Sequence, residues 1–215
     1  MNLFLYLLHF PVYALGPGRR VGLWLQGCAR RCPGCVAPET WSFAPDTSVP
    51  LEDVARRILS FFQRSSQRPD GLTISGGEPF DQPEALLELL RRLNLEGAND
   101  ILIYSGYRIE VLLERHPEFF ANPPLLAALV DGPFEEGNVT DSVWKGSDNQ
   151  GLTIWKREFF PRYEEWKRRS ARNLQRVKAS RPKGGSAWFL LGIPRQGDVP
   201  RLKNPYYKQG DEPCL

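Results

Sequence analysis

Apolar strand-like segments alternate with amphipathic helical segments through most of this 215-residue chain. In the segment at 50–64, for example, Leu51, Val54 and Ile58 recur at helical spacing, which places them on one face of a helix. The predicted strands fall within 21–27, 71–80, 100–107 and 125–134, and the predicted helices within 50–64, 82–93 and 108–116. Such alternation favours parallel strands, because each helix carries the chain back to the edge where the next strand begins. The predicted fold is therefore α/β with mostly parallel strands, as a sheet or a partial (β/α) barrel.

The N-terminal segment MNLFLYLLHFPVYALG is apolar, and we interpret it as a buried first strand. It lacks the positively charged start and the small-residue cleavage site of a secretory signal. It is also shorter than the ~20 apolar residues that cross a bilayer. We therefore expect a cytoplasmic protein with no membrane association, in which structural disulfides are rare.

Charge is unevenly divided along the chain. Residues 1–150 contain 13 Lys and Arg and 19 Asp and Glu, a net charge of −6. Residues 151–215 contain 15 Lys and Arg and 6 Asp and Glu, a net charge of +9. We predict a core at 1–152 and a basic C-terminal extension at 153–215 that packs on it, with a helix at 162–178. The extension indicates either an acidic partner or an ordinary solvated surface. Nucleic acid is the less favoured partner, because no nucleic-acid-binding motif is present.

Residues with chemical function follow four of the predicted strands at the point where each strand ends. In strand order they are Cys28, Cys32 and Cys35; Ser75, Gly76, Gly77 and Glu78; Ser105 and Gly106; and Asp131 and Gly132. The carboxyl ends of parallel strands share one edge of a sheet, and ligands bind there. We therefore expect a single site at this edge. Simpler explanations are a helix N-terminal carboxylate for Glu78, and plain turns at Ser105 and Asp131.

Three of the four cysteines lie in GLWLQGCARRCPGCVAPETW, with three residues in the first gap and two in the second. A structural zinc site needs four ligands, usually as two pairs. The candidates for a fourth, Cys214, His9 and His116, have no paired spacing. A redox pair needs only two cysteines. A [4Fe–4S] cluster normally takes four thiolates, so three leave one iron open to a ligand that the protein does not supply. The spacing favours such an open cluster.

The cysteine spacing resembles that of the radical S-adenosylmethionine (SAM) superfamily. Further motifs resemble its glycyl-radical-enzyme activase branch, which includes the activases of anaerobic ribonucleotide reductase. In chain order they are GPGRRVGLWLQGC, CPGC, PETW, SGGEP, YSGY, LVDGPF and GSDNQ. The resemblance covers about residues 10–155, and the combination is specific although a single GGE would not be.

The resemblance implies a partial barrel of the radical SAM type and a role for each site residue. The three cysteines would ligate a [4Fe–4S] cluster, and SAM would chelate its open iron. The cofactor-binding residues would be Ser75, Gly76, Gly77, Glu78, Ser105 and Asp131. The enzyme would cleave SAM reductively to methionine and a 5′-deoxyadenosyl radical, with a donor such as flavodoxin or ferredoxin. The expected product is a glycyl radical on a partner protein.

The chain departs from the family pattern in two places. Val36 and Ala37 stand where the family often has His or Asn followed by Asn or Lys, and an extension follows residue 152, near which the compact activases end. One alternative is therefore a radical SAM enzyme that acts on another peptide or a small molecule. Another is a non-catalytic iron–sulfur or zinc module that scaffolds a complex. Arg30 and Arg31, beside the thiols, would meet an acidic electron donor or lie in solvent.

Overall fold

The computed structural model describes residues 1–63, 66–138, 140–169, 174–180 and 185–194. The strands are β1 (Asn2–Val12), β2 (Arg20–Leu25), β3 (Ser48–Pro50), β4 (Gly71–Gly76), β5 (Ile101–Tyr104), β6 (Ala128–Asp131), β7 (Gly151–Ile154), β8 (Leu174–Ser180) and β9 (Ser186–Gly192). The helices are α1 (Leu51–Phe62), α2 (Pro83–Leu95), α3 (Ile109–Arg115) and α4 (Phe160–Lys167). None of these helices is both long enough and apolar enough to cross a membrane.

The described strands form a seven-stranded sheet in the order β3-β1-β2-β4-β5-β6-β7 and a separate β8–β9 hairpin. The central strands β2, β4, β5 and β6 are parallel to one another, and β1 and β7 flank them in antiparallel orientation. The predicted α/β fold with parallel central strands is therefore confirmed, as is the N-terminal strand. The parallel order means that the ends of β2, β4, β5 and β6 lie side by side at one edge.

Helices α1, α2 and α3 cover one face of this sheet. Their apolar stripes pack with strand residues of one parity, such as Leu23, Ile74 and Ile103, in the largest buried cluster of the described chain. Helix α1 shows how the sequence sets this arrangement: its buried residues Leu51 and Ile58 recur at helical spacing, and charged residues occupy the opposite side.

The C-terminal segments cover the opposite face. Tyr163 and Trp166 of α4 pack against Leu102 and Val130, and Phe189 of the β8–β9 hairpin belongs to a second buried cluster with β1 residues. The described part of the extension is thus a layer on the sheet, and its apolar contacts bury the strand residues that face away from α1–α3.

The predicted helix at 162–178 is wrong in its second half. Helix α4 ends at Lys167, and β8 begins at Leu174. From there burial alternates with a period of two: Val177 is buried, whereas Arg176 and Lys178 are exposed. The pairing with β9 therefore outweighs the local helical preference of these residues.

Candidate cluster and cofactor site

A loop that starts directly after β2 carries Cys28, Cys32 and Cys35. Its base is closed by two backbone hydrogen bonds: the Gly27 amide donates to the Thr40 carbonyl at 2.7 Å, and the Cys28 amide donates to the Trp41 carbonyl at 3.0 Å. All three cysteines are free thiols and partly exposed, while Cys214 lies outside the described residues. Partial burial raises the pKa of the Cys28 thiol.

The bend between the second and third cysteines is tight. The Cys35 amide donates to the Cys32 carbonyl at 3.2 Å. Gly34, inside the bend, has φ +71°, a conformation that residues with a β-carbon seldom adopt. Pro33 precedes it and restricts the backbone further. The sequence thus fixes two thiols on a short, stiff turn.

Three free thiols on one loop are the type of donor set that an iron–sulfur cluster takes. Among the residues that the structure describes, no group of three or more His, Cys, Asp and Glu side chains is gathered closely enough to hold one ion. A zinc ion requires all its thiolates about 2.3 Å from a single point, whereas the thiolates of an iron–sulfur cluster bind different irons. Three free thiols on one loop suit the second arrangement.

His9 and His116 were the histidine candidates for a fourth metal ligand, and neither joins the three thiols in a metal-holding group of the described residues. His9 lies within β1 and pairs with Gly22, three residues before the end of β2. His116 follows α3 and stacks on Phe80, with ring centroids 5.8 Å apart. The His116 imidazole therefore has an aromatic packing partner, and no metal-holding group of three or more side chains among the described residues includes either histidine.

The glycine turn after β4 packs directly on the backbone at the start of the cysteine loop. The Gly77 amide donates to the Leu25 carbonyl at 2.8 Å, and the Glu78 amide donates to the Gly27 carbonyl at 2.9 Å. A β-carbon at Gly77 would overlap the Gly27 carbonyl oxygen, and Gly76 has φ +101°. Glycine is required here so that two backbone segments can touch.

Glu78 is almost completely buried, with 2% of its surface exposed. One carboxylate oxygen accepts hydrogen bonds from the Ser105 hydroxyl at 2.8 Å and the Phe80 amide at 3.1 Å, and the other accepts from the Gly106 amide at 2.7 Å. Burial nevertheless raises the pKa of Glu78 to about 7. Glu78 and Ser105, predicted separately, therefore form one unit that joins the ends of β4 and β5.

Ser75 and Asp131 lie at the same edge in different surroundings. Ser75 is partly exposed, and in the sheet it lies beside Trp24 of β2. Asp131 is buried at the end of β6, where its carboxylate accepts a 3.0 Å hydrogen bond from the Ile109 amide at the start of α3. Burial raises the pKa of Asp131. Asp131 therefore holds the loop that follows β5.

Two residues that contact the cysteine loop were missed by the sequence analysis. Asp81 follows the SGGEP motif, and Tyr107 ends the YSGY motif. Their side chains hydrogen bond to each other at 2.8 Å. The sequence signals were the position of Asp81 directly after the predicted strand segment 71–80 and the position of Tyr107 at the end of the segment 100–107.

Comparisons with known proteins show the family of the chain. Residues 14–153 match the family described as 4Fe-4S single cluster domain. The anaerobic ribonucleoside-triphosphate reductase-activating protein of Escherichia coli (strain K12) is 31% identical over 150 residues, which is 66% of this chain and 93% of the relative. The equivalent protein of Enterobacteria phage T4 is 28% identical over 152 residues, 66% of this chain and 92% of the relative.

A second kind of relative matches a shorter part. The pyruvate formate-lyase-activating enzyme of Clostridium pasteurianum is 34% identical over 92 residues, which is 43% of this chain and 39% of the relative. The family match extends beyond the cysteine loop and includes Glu78, Ser105 and Asp131. The chain belongs to the 4Fe-4S single cluster domain family and, within it, to the radical SAM branch of glycyl-radical-enzyme activases.

Proposed function

We propose that this chain is a radical SAM activating enzyme that cleaves SAM reductively and installs a glycyl radical on a partner protein. One observation carries the proposal. The loop with three free thiols and the glycine turn after β4 are joined by backbone, through the 2.9 Å hydrogen bond from the Glu78 amide to the Gly27 carbonyl. A cluster on the thiols and a cofactor on the turn would therefore be neighbours.

Each part of this edge has a proposed role. Cys28, Cys32 and Cys35 would hold three irons of a [4Fe–4S] cluster and leave the fourth for SAM. When bound, the cluster and SAM would supply a one-electron cleavage of the cofactor, which yields methionine and a 5′-deoxyadenosyl radical. The residues proposed to line the cofactor site are Ser75, Gly76, Gly77, Glu78, Ser105 and Asp131.

The protein's own contribution would be orientation. Gly76 and Gly77 would let peptide groups of the turn approach the cofactor, because neither residue has a side chain. Glu78 would act by holding Ser105 and Gly106 in place through its hydrogen bonds. We further propose that the sheet forms the partial barrel of radical SAM enzymes.

The partners are proposed on two grounds. The relatives are named for proteins that they activate, a ribonucleotide reductase and a pyruvate formate-lyase, which supports a protein substrate. Arg31 is exposed on the cysteine loop, next to the partly buried Arg30. An acidic one-electron donor such as flavodoxin or ferredoxin would be attracted to this basic loop.

The proposal is tested with the full chain, reconstituted anaerobically with iron and sulfide. We expect about four irons per chain and the visible absorption of a [4Fe–4S] cluster. Reduction in the presence of SAM should yield 5′-deoxyadenosine, measured by chromatography. Replacing Cys28, Cys32 or Cys35 by Ala should abolish both signals, whereas Cys214→Ala is the matched control and should retain them.

Different failures have different meanings. Iron far below four per chain would contradict both the activase and any other radical SAM enzyme. A complete cluster without 5′-deoxyadenosine would instead support the scaffold alternative. A glycyl radical signal in electron paramagnetic resonance, formed on a co-encoded enzyme with a C-terminal glycyl-radical loop, would identify the substrate class.

A second function is favoured by the extension. The family match ends at residue 153, yet α4 and the β8–β9 hairpin add a layer on the sheet face opposite α1–α3. A radical SAM enzyme that acts on another peptide or a small molecule would use such a layer to reshape its substrate side. Production of 5′-deoxyadenosine without any glycyl radical on the co-encoded partner would favour this function over the first.

A further inference from the structure

The carboxylate of Asp81 bridges two loops of the site. Asp81 is the last residue of the short 3-10 turn Pro79–Asp81 that follows the glycine turn. One of its oxygens accepts a 2.7 Å hydrogen bond from the Ala29 amide, and the other accepts a 2.8 Å bond from the Tyr107 hydroxyl. A single side chain thus ties the residue after Cys28 to the loop after β5.

Tyr107 makes a second contact with the cysteine loop. The guanidinium of Arg30 lies over the Tyr107 ring, 4.7 Å from its centroid. It also lies so close to Gly106 that a β-carbon there would come within 2.5 Å of the Arg30 Nε. Ala29 and Arg30 are therefore both held from the same side, one by hydrogen bonding and one by a cation–π contact.

Hydrogen bonds fix the backbone on both sides of Cys28 and so orient its thiol. The backbone on one side of Cys28 is fixed by its own amide, which donates to the Trp41 carbonyl at 3.0 Å. On the other side it is fixed by the Ala29 amide on Asp81.

We propose that Asp81 is a positioning residue for the cluster: it fixes the backbone after Cys28, and Tyr107 in turn fixes Asp81. The proposal rests on the cluster assignment made above. Asp81 would not itself ligate the cluster. It would have two effects that can be tested separately. Its hydrogen bonds preserve the loop, and its negative charge disfavours adding an electron to a nearby cluster, which lowers the cluster's reduction potential.

Substitutions separate the two effects. Asp81→Ala removes both. Asp81→Asn keeps an oxygen that can accept from Ala29 and an amide that can donate to the Tyr107 oxygen, but it removes the charge. Tyr107→Phe keeps the aspartate and loses one of its supports. Asp46→Ala is the matched control, because Asp46 also lies in a 3-10 turn, Pro45–Thr47, but is exposed.

The measurement is the rate at which the anaerobically reconstituted full chain loses iron to a chelator, together with the midpoint potential of the cluster. We expect loss to be about tenfold faster in Asp81→Ala, about threefold faster in Tyr107→Phe, and unchanged within about twofold in Asp81→Asn and Asp46→Ala. The midpoint potential should rise in Asp81→Asn and stay unchanged in Asp46→Ala.

The outcomes are distinguishable from failure of the proposed function. If the wild-type chain takes up no iron, the cluster assignment fails and this inference fails with it. If it takes up iron and folded Asp81→Ala loses it at the wild-type rate, only the positioning role is wrong. If Asp81→Ala does not fold, Tyr107→Phe decides: faster iron loss supports the role, and the wild-type rate overturns it.

Discussion

The hydroxyl of Ser105 donates a 2.8 Å hydrogen bond to the carboxylate of Glu78, so side chains join the ends of the neighbouring parallel strands β5 and β4. The amides of Phe80 and Gly106 donate to the same carboxylate. Burial still outweighs these donors and raises the pKa of Glu78 to about 7. The ionised form of Glu78 is therefore costly in the folded protein.

This shift predicts a pH dependence of stability. The pKa of Glu78 rises from 4.5 in the unfolded chain to about 7 in the folded one, so the folded state binds the proton more tightly. The free energy of unfolding should fall by about 3 kcal/mol as the pH rises from about 4.5 to 7 and stay low above that. Urea unfolding of the iron-free protein at several pH values measures this fall in the free energy of unfolding. The variant Glu78→Gln should lack the part of the fall that comes from Glu78. Parallel pH profiles for the two proteins would contradict the assignment.

Gly77→Ala should disrupt the contact between the glycine turn and the cysteine loop. The added β-carbon would overlap the Gly27 carbonyl, and because backbone meets backbone neither side can move alone. We expect a loss of about 1–3 kcal/mol in the free energy of unfolding and a lower iron content after reconstitution. Gly137→Ala is the control, because a β-carbon there meets nothing within 4 Å. Equal stability of the two variants would show that the turn tolerates a side chain.

The sequence pattern was sufficient to predict the core of the fold because its signals are local. The apolar stripe of α1, with Leu51, Val54 and Ile58, needs only helical periodicity. The alternation of strands and helices then made the central strands parallel and placed their ends at one edge. The segment after Lys167 was mispredicted because β8 depends on pairing with β9, which is a non-local interaction.

The site was predictable to the same extent. Parallel order alone brings the cysteine loop, the glycine turn, Ser105 and Asp131 to one edge. The contacts between side chains were not predictable, because they depend on how distant segments pack. Asp81, for example, accepts a hydrogen bond from Ala29, which is 52 positions away in the chain. The role of Gly77 was likewise expected from ligand approach, while the structure shows a backbone contact with Gly27.

A buried polar network attaches α4 to the start of the central strands. The Tyr163 hydroxyl donates a 2.6 Å hydrogen bond to Asp100, which also pairs with the fully buried Arg20 at 3.1 Å. Tyr163→Phe should lower the free energy of unfolding by about 1.5–3 kcal/mol, since it removes a hydrogen bond to a charged group. Glu165→Gln, an exposed change on the same helix, should stay within about 0.5 kcal/mol. Urea unfolding compares them, and equal stabilities would argue against the network's importance.

The hairpin offers a matched pair of neighbouring residues on opposite faces of β9. Phe189 is 8% exposed and packs edge-on against Tyr6 of β1, with ring centroids 5.8 Å apart. Trp188 is 56% exposed and contacts Arg176 on the outer face. If the hairpin is an integral layer of the fold, Phe189→Ala should cost about 3 kcal/mol or more in the free energy of unfolding. Trp188→Ala should cost about 1 kcal/mol at most, the scale of an exposed cation–π contact.

Limited proteolysis supplies the second measurement for this pair. Loss of the Phe189 ring would free the hairpin from β1, and cleavage after the exposed basic residues Arg176 and Lys178 should become much faster. Trp188→Ala should be cleaved at nearly the wild-type rate. If both variants resist protease equally and unfold with wild-type stability, the hairpin contributes little to the core, and the extension would then act independently of the sheet that holds the site.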